Sequence, residues 1–508
     1  MLPSITDIGV LNLCLLGASL FTAWYIISAV TAWHRLRSVP GPFLAKFSYL
    51  WLARTAVGGR QYQINRDLGK KYGPLVRVGP NELSTDDPEV IRMINAVRSP
   101  YGKDPWYLAA RWNPYQDNLF TLIDNNAHDK FKSRTASAYS GRETEIPALE
   151  PAVDAQVLTL LNVIRNKYLF SPGNPAAKHL ELSTLSCYFT MDVITKVAFG
   201  EEFGYLKSES DVYDFLEGVK NNWPFLSITV DVPWIRNFFY SPLFLKYFGP
   251  KETDEKGMGR LMRVAKQAVA KRFTEESKGE RDMMGSFIRH GLTRTECEAE
   301  GLFMIIAGSD TTASAIRVTM LYVMTQPQVY RKIKDVIMQA IRDGNISHPI
   351  RYEEAGKIPY LQAIIYEGLR MRTPAPGLYL KTVPAEGEVI HGKFIPGGTA
   401  IGMNNASLQR STKLFGSDAD VFWPERFLEV DAETRLEMER NVELAFGYGR
   451  WMCAGKPVAF MELNKVFFEL LREFDFQLVD PTKPWDSSSY SVFIEENMWV
   501  KVTPSISA

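Results

Sequence analysis

The stretch FGYGRWMCAGKPVAF, residues 446–460, places one cysteine inside a glycine-rich pattern. Its fixed positions follow the order F-G-x-G-x-x-x-C-x-G and are Phe446, Gly447, Gly449, Cys453 and Gly455. Glycines let the backbone pass close to a flat group, and the cysteine can present a thiolate to that group. Chance agreement at five such positions is expected in about one of 10⁴ chains of this length. The pattern therefore indicates a binding loop for a flat cofactor.

A haem is the flat group that this loop suits best, because thiolate is one of the axial ligands that haem iron takes. The alternative is a buried cysteine in a glycine-rich turn, which is a common environment for a free cysteine. Only the first interpretation requires groups elsewhere in the chain that supply protons and support the loop.

The composition indicates one large catalytic domain. The 508-residue chain is 46% hydrophobic, with 58 basic and 58 acidic residues. It can bury a large core, and its balanced charge argues against nucleic acid as a partner. Six histidines show no metal-ligand spacing. Four scattered cysteines are too few for a disulfide framework, which favours a reducing compartment: Cys14, Cys187, Cys297 and Cys453.

The N-terminal segment has a different character, since no charged residue lies between Ile8 and Trp33. As a helix this stretch is long enough to cross an apolar layer of ~30 Å. One acidic residue precedes it, and basic side chains follow it: His34, Arg35 and Arg37. This asymmetry predicts an uncleaved anchor with its N-terminus outside and the body of the protein in the cytosol. A signal peptide and a buried core helix are the alternatives.

We expect residues 1–38 to form the anchor and its flank, and residues 39–508 to form the catalytic domain. The proline-rich segment 38–43, SVPGPF, predicts a stiff hinge between them. The body reads as mainly α with small β-sheets, an α+β fold: residues 60–73 predict a helix, and two short strands are expected around the turn at Gly79 and Pro80.

One unusually long helix is predicted from about Thr295 to Met324. Thr295 and Glu298 form a candidate capping box at its start, and Pro327 ends it. Its centre carries the polar sequence AGSDTT, residues 307–312, within apolar flanks. An acid beside an alcohol, Asp310 beside Thr311, can hold water and pass protons inward. The alternative is a polar helix face turned toward solvent, against which the flanks argue.

A second helix, YLQAIIYEGLRM, carries Glu367 and Arg370 on one face. An exposed pair of this kind contributes little, but its surroundings are apolar, and FWPERF offers Arg426 further along. In a buried cluster of these three side chains, the carboxylate would accept hydrogen bonds from two planar guanidinium groups. We expect this cluster to support the Cys453 loop from behind.

Together the motifs AGSDTT, EGLR, FWPERF and FGYGRWMCAG, in this order, resemble those of the cytochrome P-450 haem-thiolate monooxygenases, in particular the membrane-anchored microsomal members of fungi. The resemblance covers residues 35–500 and implies the cytochrome P-450 fold, preceded here by a single transmembrane helix. It also implies haem b as the cofactor.

The resemblance assigns roles residue by residue. Cys453 matches the axial thiolate and metal ligand, and Asp310 and Thr311 match the catalytic acid and alcohol. Cofactor contacts are implied for seven residues in total: Cys453, His128, Lys132, Lys381, Arg450, Phe446 and Gly447. The family usually has an arginine two residues before the cysteine, where this chain has Trp451. Either Arg450 reaches a haem propionate from its shifted position, or the propionates rely on the lysines and His128.

The resemblance further implies a monooxygenase that inserts one atom of O₂ into an apolar small molecule. The chain has no dinucleotide fingerprint, so NADPH-derived electrons would come from a separate NADPH-cytochrome P-450 reductase, with cytochrome b5 as a further candidate donor. A basic face is a candidate docking surface for the reductase, with a solvated helix face as the alternative. It comprises Lys130, Lys132, Arg134, Arg450, Lys456 and Lys465.

By the same likeness, we expect a single-pass protein of the endoplasmic reticulum membrane that serves secondary metabolite biosynthesis. Aromatic residues between 105 and 122, with segments 222–232 and 374–380, predict a pocket for a bulky apolar substrate. Two alternatives stay open: a haem-thiolate isomerase or dehydratase that needs no reductase, and a non-catalytic membrane-anchored haem binder. The acid-alcohol pair argues against both.

Overall fold

Helices dominate the computed structural model, which describes residues 5–140, 149–171, 174, 176–274, 279–344 and 346–505. In chain order the helices are α1 (Ile5–Arg35), α2 (Leu50–Val57), α3 (Gln61–Tyr72), α4 (Pro88–Asn95), α5 (Asn125–Tyr139), α6 (Leu149–Lys167), α7 (Leu182–Phe199), α8 (Tyr205–Ser208), α9 (Phe215–Asp231), α10 (Pro233–Phe239), α11 (Pro242–Phe248), α12 (Gly257–Ala270), α13 (Met283–Arg289), α14 (Arg294–Thr325), α15 (Pro327–Arg342), α16 (Tyr352–Gly356), α17 (Pro359–Met371), α18 (Asn405–Leu408), α19 (Thr412–Phe415), α20 (Ala432–Val442) and α21 (Lys456–Glu473). Short 3₁₀ helices lie at Leu44–Lys46, Pro105–Ala110, Pro424–Phe427, Glu443–Phe446 and Gly449–Trp451.

The strands form small sheets, as the predicted α+β class requires. They are β1 (Leu75–Arg77), β2 (Glu82–Thr85), β3 (Gly102–Lys103), β4 (Leu180–Glu181), β5 (Lys381–Thr382), β6 (Glu388–Ile390), β7 (Lys393–Ile395), β8 (Ala400–Met403), β9 (Phe474–Leu478), β10 (Asp486–Ser489), β11 (Phe493–Glu496) and β12 (Trp499–Pro504). The largest sheet has the order β1-β2-β8-β5-β3, and the others are β4-β12-β9 and the hairpins β6-β7 and β10-β11. Strands β1 and β2 pair antiparallel across the predicted turn, with Val76 opposite Ser84, whereas β2 and β8 run parallel.

The apolar N-terminal segment forms helix α1, within which residues Asn12–Arg35 are long and apolar enough to cross a membrane. None of its most apolar 18-residue stretch is buried against the rest of the described chain. The proline-rich segment that follows is held against the largest sheet, because the Arg77 amide donates to the Pro40 carbonyl at 2.7 Å. A side chain at Gly41 would lie 2.1 Å from the Arg77 carbonyl oxygen. This contact with β1 makes the predicted hinge a fixed connection.

Helix α14 is the long helix that the sequence predicts, and it packs against α7, α12, α17 and α21. Its predicted capping box at Thr295 and Glu298 is wrong by two residues. Thr293 is the N-cap: its hydroxyl accepts the Glu296 amide at 3.2 Å, and the Glu296 carboxylate accepts the Thr293 amide at 2.7 Å. Both pairs fit the same sequence pattern, but Thr293 marks the point where the backbone turns extended.

Candidate active site

The Cys453 loop connects the 3₁₀ helix Glu443–Phe446 to α21. The Cys453 amide donates to the Phe446 carbonyl at 2.6 Å, which closes the loop on itself. Gly449 has a φ of 56°, and a side chain there would lie 2.5 Å from the carbonyl oxygen of Asn95, at the end of α4. Glycine is therefore required at this position by the turn and by its neighbour.

The side chain of Cys453 keeps accessible surface, although its sulfur is surrounded closely enough for burial to affect its pKa. Burial raises the pKa of this thiol, whereas the amides of Gly455 and Lys456 and the charge of Lys132 lower it. Those two amides belong to the start of α21, where the helix dipole favours negative charge. Burial outweighs these contributions and the pKa is raised overall, so a thiolate at Cys453 requires a positive centre beside it, such as a bound metal ion.

Lysine side chains gather beside the loop at the edge next to Trp451. The ammonium group of Lys381 lies 5.8 Å from the centre of the Trp451 ring, and that of Lys103 lies 4.8 Å from it. Lys132 donates to the Arg450 carbonyl at 2.6 Å. Burial lowers the pKa of Lys381 to about 7, and burial and the charges of Lys381 and Lys132 lower that of Lys103.

Within the described part of the chain, none of these three lysines forms an ion pair with a carboxylate. Buried cations without counterions are costly, so this edge is suited to a ligand that carries negative charge. The indole N–H of Trp451 is also buried and has no acceptor among the described residues. It is a further donor at the same edge.

His128 and Arg450 complete this edge in different ways. The His128 ring packs against Trp451 with 4.4 Å between ring centres. Burial and Lys103 lower the pKa of His128 to about 4, so the ring is neutral at pH 7. The Arg450 guanidinium is directed to Asp129 at 3.4 Å. Arg450 is therefore held by a carboxylate of α5, while Lys132 lies against its backbone.

The polar centre of α14 is continuous helix and no part of it is a fully exposed face: Ser309 and Thr312 are buried, and Ala307, Gly308, Asp310 and Thr311 are partly buried. Gly308 allows α7 to approach, since a side chain there would lie 2.8 Å from Ile194. The hydroxyl of Ser309 donates to the Ile306 carbonyl at 3.1 Å, and that of Thr311 donates to the Ala307 carbonyl at 3.0 Å. The Thr311 oxygen can still accept a hydrogen bond from a neighbouring group.

Glu367, Arg370 and Arg426 form the predicted buried cluster, which is confirmed. The Glu367 carboxylate receives both Nε and Nη2 of Arg370 at 2.7 Å, Nε of Arg426 at 3.0 Å and the Trp423 amide at 2.7 Å. Helix α17 also reaches the segment before the Cys453 loop, because the Tyr366 hydroxyl donates to Glu443 at 2.9 Å.

The predicted basic docking face is wrong at Lys465, which is fully buried in α21. Its ammonium group pairs with Glu150 at 2.6 Å and with Asp154 at 2.7 Å. Arg134 is bound to Glu296 at 2.6 Å. The physical reason is that α21 is a core helix, so a lysine in its middle is retained only with buried partners.

Comparison with known proteins decides the family. The cytochrome P450 family model matches residues 38–502.

The chain is a cytochrome P450.

Its relatives include the cytochrome P450 monooxygenase aba1 of Botryotinia fuckeliana, 58% identical over 471 residues that make up 92% of each chain. The cytochrome P450 monooxygenase abl1 of Leptosphaeria maculans is 49% identical over 488 residues, which are 95% of this chain and 85% of the relative. The cytochrome P450 monooxygenase ABA1 of Pyricularia oryzae is 43% identical over 491 residues and 96% of each chain. This P450 is a haem-thiolate monooxygenase, with haem b as cofactor and electrons from NADPH.

The residues of this P450 fit a haem on two separate grounds. The accessible Cys453 thiol suits the iron. The lysines without a carboxylate partner and the Trp451 N–H without an acceptor, among the described residues, suit the propionates. Lys103 was missed by sequence reasoning, because a single lysine in a loop has no local signal for its position in space. Trp451 stands where the family usually has an arginine, and lysines lie beside it.

An aromatic cluster lies between the predicted pocket segments and α14 in this P450. The rings of Phe120 and Phe303 stack at 5.2 Å, and Trp106 packs on Tyr379 at 5.4 Å and on Tyr107 at 5.0 Å. Phe303 lies about two helical turns before Asp310 on α14. The cluster can therefore contact an apolar molecule that lies over the acid-alcohol pair.

Proposed function

We propose that this P450 inserts one atom of O₂ into a bulky apolar small molecule in secondary metabolite biosynthesis. The observation that carries the proposal is the accessible Cys453 thiol at the start of α21, near lysines that have no carboxylate partner among the described residues. The aromatic cluster around Phe120 and Tyr379 supports an apolar substrate. Secondary metabolism rests on the likeness to fungal monooxygenases.

Each predicted site residue has a proposed role. When bound, haem supplies the transfer of electrons to O₂ and the oxidation of the substrate. Cys453 would hold its iron through the thiolate, and Phe446 and Gly447 would shape the loop that binds it. Asp310 and Thr311 deliver protons to the oxygen side. The propionate contacts come from His128, Lys132, Lys381 and Arg450, together with Lys103 and Trp451.

The experiment that tests this function uses microsomes with a fungal P450 reductase, candidate apolar metabolites and oxygen-18 gas. We expect a product that contains one labelled oxygen atom and forms only with NADPH. A product that forms without NADPH, or without label, would support the isomerase or dehydratase alternative instead.

Replacing Thr311 with alanine is expected to uncouple the reaction. The variant keeps haem and binds substrate, but product formation falls by up to about 10²-fold, the low end of a general acid-base contribution. The lost electrons should appear as hydrogen peroxide, measured with NADPH consumption. Thr325→Ala is the matched control, since its hydroxyl also bonds the carbonyl four residues back, Leu321, at 2.8 Å. Unchanged coupling in Thr311→Ala would remove this hydroxyl from proton delivery.

We propose NADPH-cytochrome P450 reductase as the electron partner, with cytochrome b5 as a further donor. Arg134, Arg450 and Lys456 of the predicted basic face pair with carboxylates. The corrected face therefore consists of Lys130, which is exposed, and Lys132, which is partly buried. Opposite charge on a reductase would speed the encounter, and high salt would slow it.

We infer that residues 1–38 anchor residues 39–508, the catalytic domain, to the endoplasmic reticulum membrane with a single pass. Helix α1 supports the anchor. Helices α10 and α11 support further contact with lipid, because they carry exposed apolar side chains, among them Trp234 at 64% and Phe248 at 75% exposure.

The topology has a direct test in the full-length chain. A glycosylation acceptor sequence added before Met1 should be modified in microsomes, because the basic residues after α1 keep the other end cytosolic. The same sequence added after Ala508 should stay unmodified. Modification at the C-terminal position would reverse the proposed orientation.

A further inference from the structure

A chain of buried charges leads from the catalytic helix α14 to the hairpin β10-β11. Arg317 Nη2 lies 3.0 Å from Asp310 Oδ1, and Arg317 Nε lies 3.0 Å from Glu495 Oε2. Arg372, just after α17, lies 3.4 Å from the other oxygen of Glu495. The Arg317 side chain is only 2% exposed, and that of Glu495 is fully buried.

Arg317 is held in one position by more than its ion pairs. Its Nε donates to the Ala313 carbonyl at 3.1 Å, and its Nη1 donates to the Glu495 carbonyl at 3.2 Å. Glu495 is fixed in turn by the Ser314 hydroxyl at 3.1 Å. A guanidinium with so many fixed acceptors has little freedom to rotate, so it can hold a third group in a defined position.

That third group is the Asp310 carboxylate, and only one of its oxygens is held. Oδ1 accepts from Arg317, whereas no hydrogen bond to Oδ2 is found within the described residues. Asp310 and Arg317 are seven residues apart, close to two helical turns, so they share a face of α14. The arrangement leaves Oδ2 as the oxygen that can exchange a proton.

We propose that Arg317 is a positioning residue that fixes Oδ1 of Asp310 and leaves Oδ2 to take up and release protons, and that Glu495 fixes Arg317 from the hairpin. This rests on the proposed function of Asp310 and extends it to two residues outside the AGSDTT sequence. Arg372 ties the hairpin to the chain after α17, since its guanidinium also lies 3.8 Å from the centre of the Phe493 ring.

Arg317 and Glu495 have opposite effects on the pKa of Asp310. Burial raises the pKa of Asp310, the charge of Arg317 lowers it, and the charge of Glu495 raises it. Cys187, on α7, is neutral because burial raises its thiol pKa to about 12. Removing the charge of Arg317 therefore moves the protonation of Asp310 to higher pH, and removing the charge of Glu495 moves it to lower pH.

The test compares Arg317→Gln, Arg317→Lys and Glu495→Gln in the full-length, haem-loaded protein. Its first readout is the infrared C=O band of the protonated carboxyl that disappears in Asp310→Asn, followed against pH. We expect its midpoint to rise by about one pH unit or more in Arg317→Gln, to fall in Glu495→Gln, and to stay near the wild-type value in Arg317→Lys. The second readout is the amount of product formed per NADPH, measured against pH. The pH at which this ratio changes on the acid side should rise in Arg317→Gln and fall in Glu495→Gln.

Shifts in the same direction, or no shift, in Arg317→Gln and Glu495→Gln would overturn the proposal and leave a purely structural charge cluster. If Arg317→Gln loses haem, Arg317→Lys and Glu495→Gln still decide the outcome, because both keep a polar group in place. The infrared titration needs no turnover. A wild-type protein that forms no product would thus contradict the proposed function while the titration still tests the positioning of Asp310.

Discussion

Replacing Cys453 with serine is expected to abolish oxygenation and the carbon monoxide signature of the protein. The wild-type protein, reduced under carbon monoxide, should show a Soret band near about 450 nm, which reports a thiolate ligand. Serine has nearly the same size but stays a neutral alcohol, so the amides at the start of α21 have no thiolate to stabilise. The band should be lost. Product formation should fall more than ~100-fold, because mutating a residue that only hydrogen-bonds a metal ligand already lowers activity by up to ~100-fold.

The matched control is Cys297→Ser on α14. Cys297 is buried and lies in the described part of the chain, and a serine hydroxyl there can donate to the Thr293 carbonyl, four residues back. This variant should keep the band and the activity. Retention of the 450 nm band in Cys453→Ser would mean that another group ligates the iron.

The parts of the site that lie within short segments could be predicted from the sequence. The Cys453 loop, the AGSDTT sequence and the pair Glu367 and Arg370 each have a local pattern with a physical reason. Arg317 could also have been found, because an arginine seven residues after Asp310 in an apolar helix needs a buried partner on the same face. The helix pattern was also strong enough to predict α14 to within one residue at each end.

The remaining features depend on contacts between distant segments. The proposed role of Lys103 depends on its proximity to Trp451, which lies in a distant part of the chain. Lys465 was expected on the surface because it is charged, but Glu150 and Asp154 of α6 bury it. Local spacing cannot separate an exposed lysine from a buried, paired one. The cap of α14 was misplaced for a related reason, since Thr293 and Thr295 fit the same pattern and only the backbone distinguishes them.

Replacing Glu367 with glutamine is expected to destabilise the protein by about 3–5 kcal/mol, because it leaves two buried guanidinium groups facing an amide. Such a loss is a large part of the stability of a typical domain. The variant should accumulate with little haem and unfold at lower temperature, measured by circular dichroism and by haem content. Glu353→Gln is the matched control, since Glu353 forms an exposed pair with Lys357 four residues on and should leave both measurements unchanged.

Apolar replacement of Glu367 and Arg370 together should not restore this loss, although such replacement often restores stability for other buried ion pairs. Arg370 also donates to the carbonyls of Gln409 at 2.8 Å and Ala419 at 2.6 Å. Those carbonyls belong to the segment after β8 and would lose their donors in Glu367→Leu combined with Arg370→Met. Unpaired buried carbonyls are themselves costly, so we expect the double variant to stay below wild-type stability. Recovery of the wild-type unfolding temperature would show that only charge neutralisation matters here.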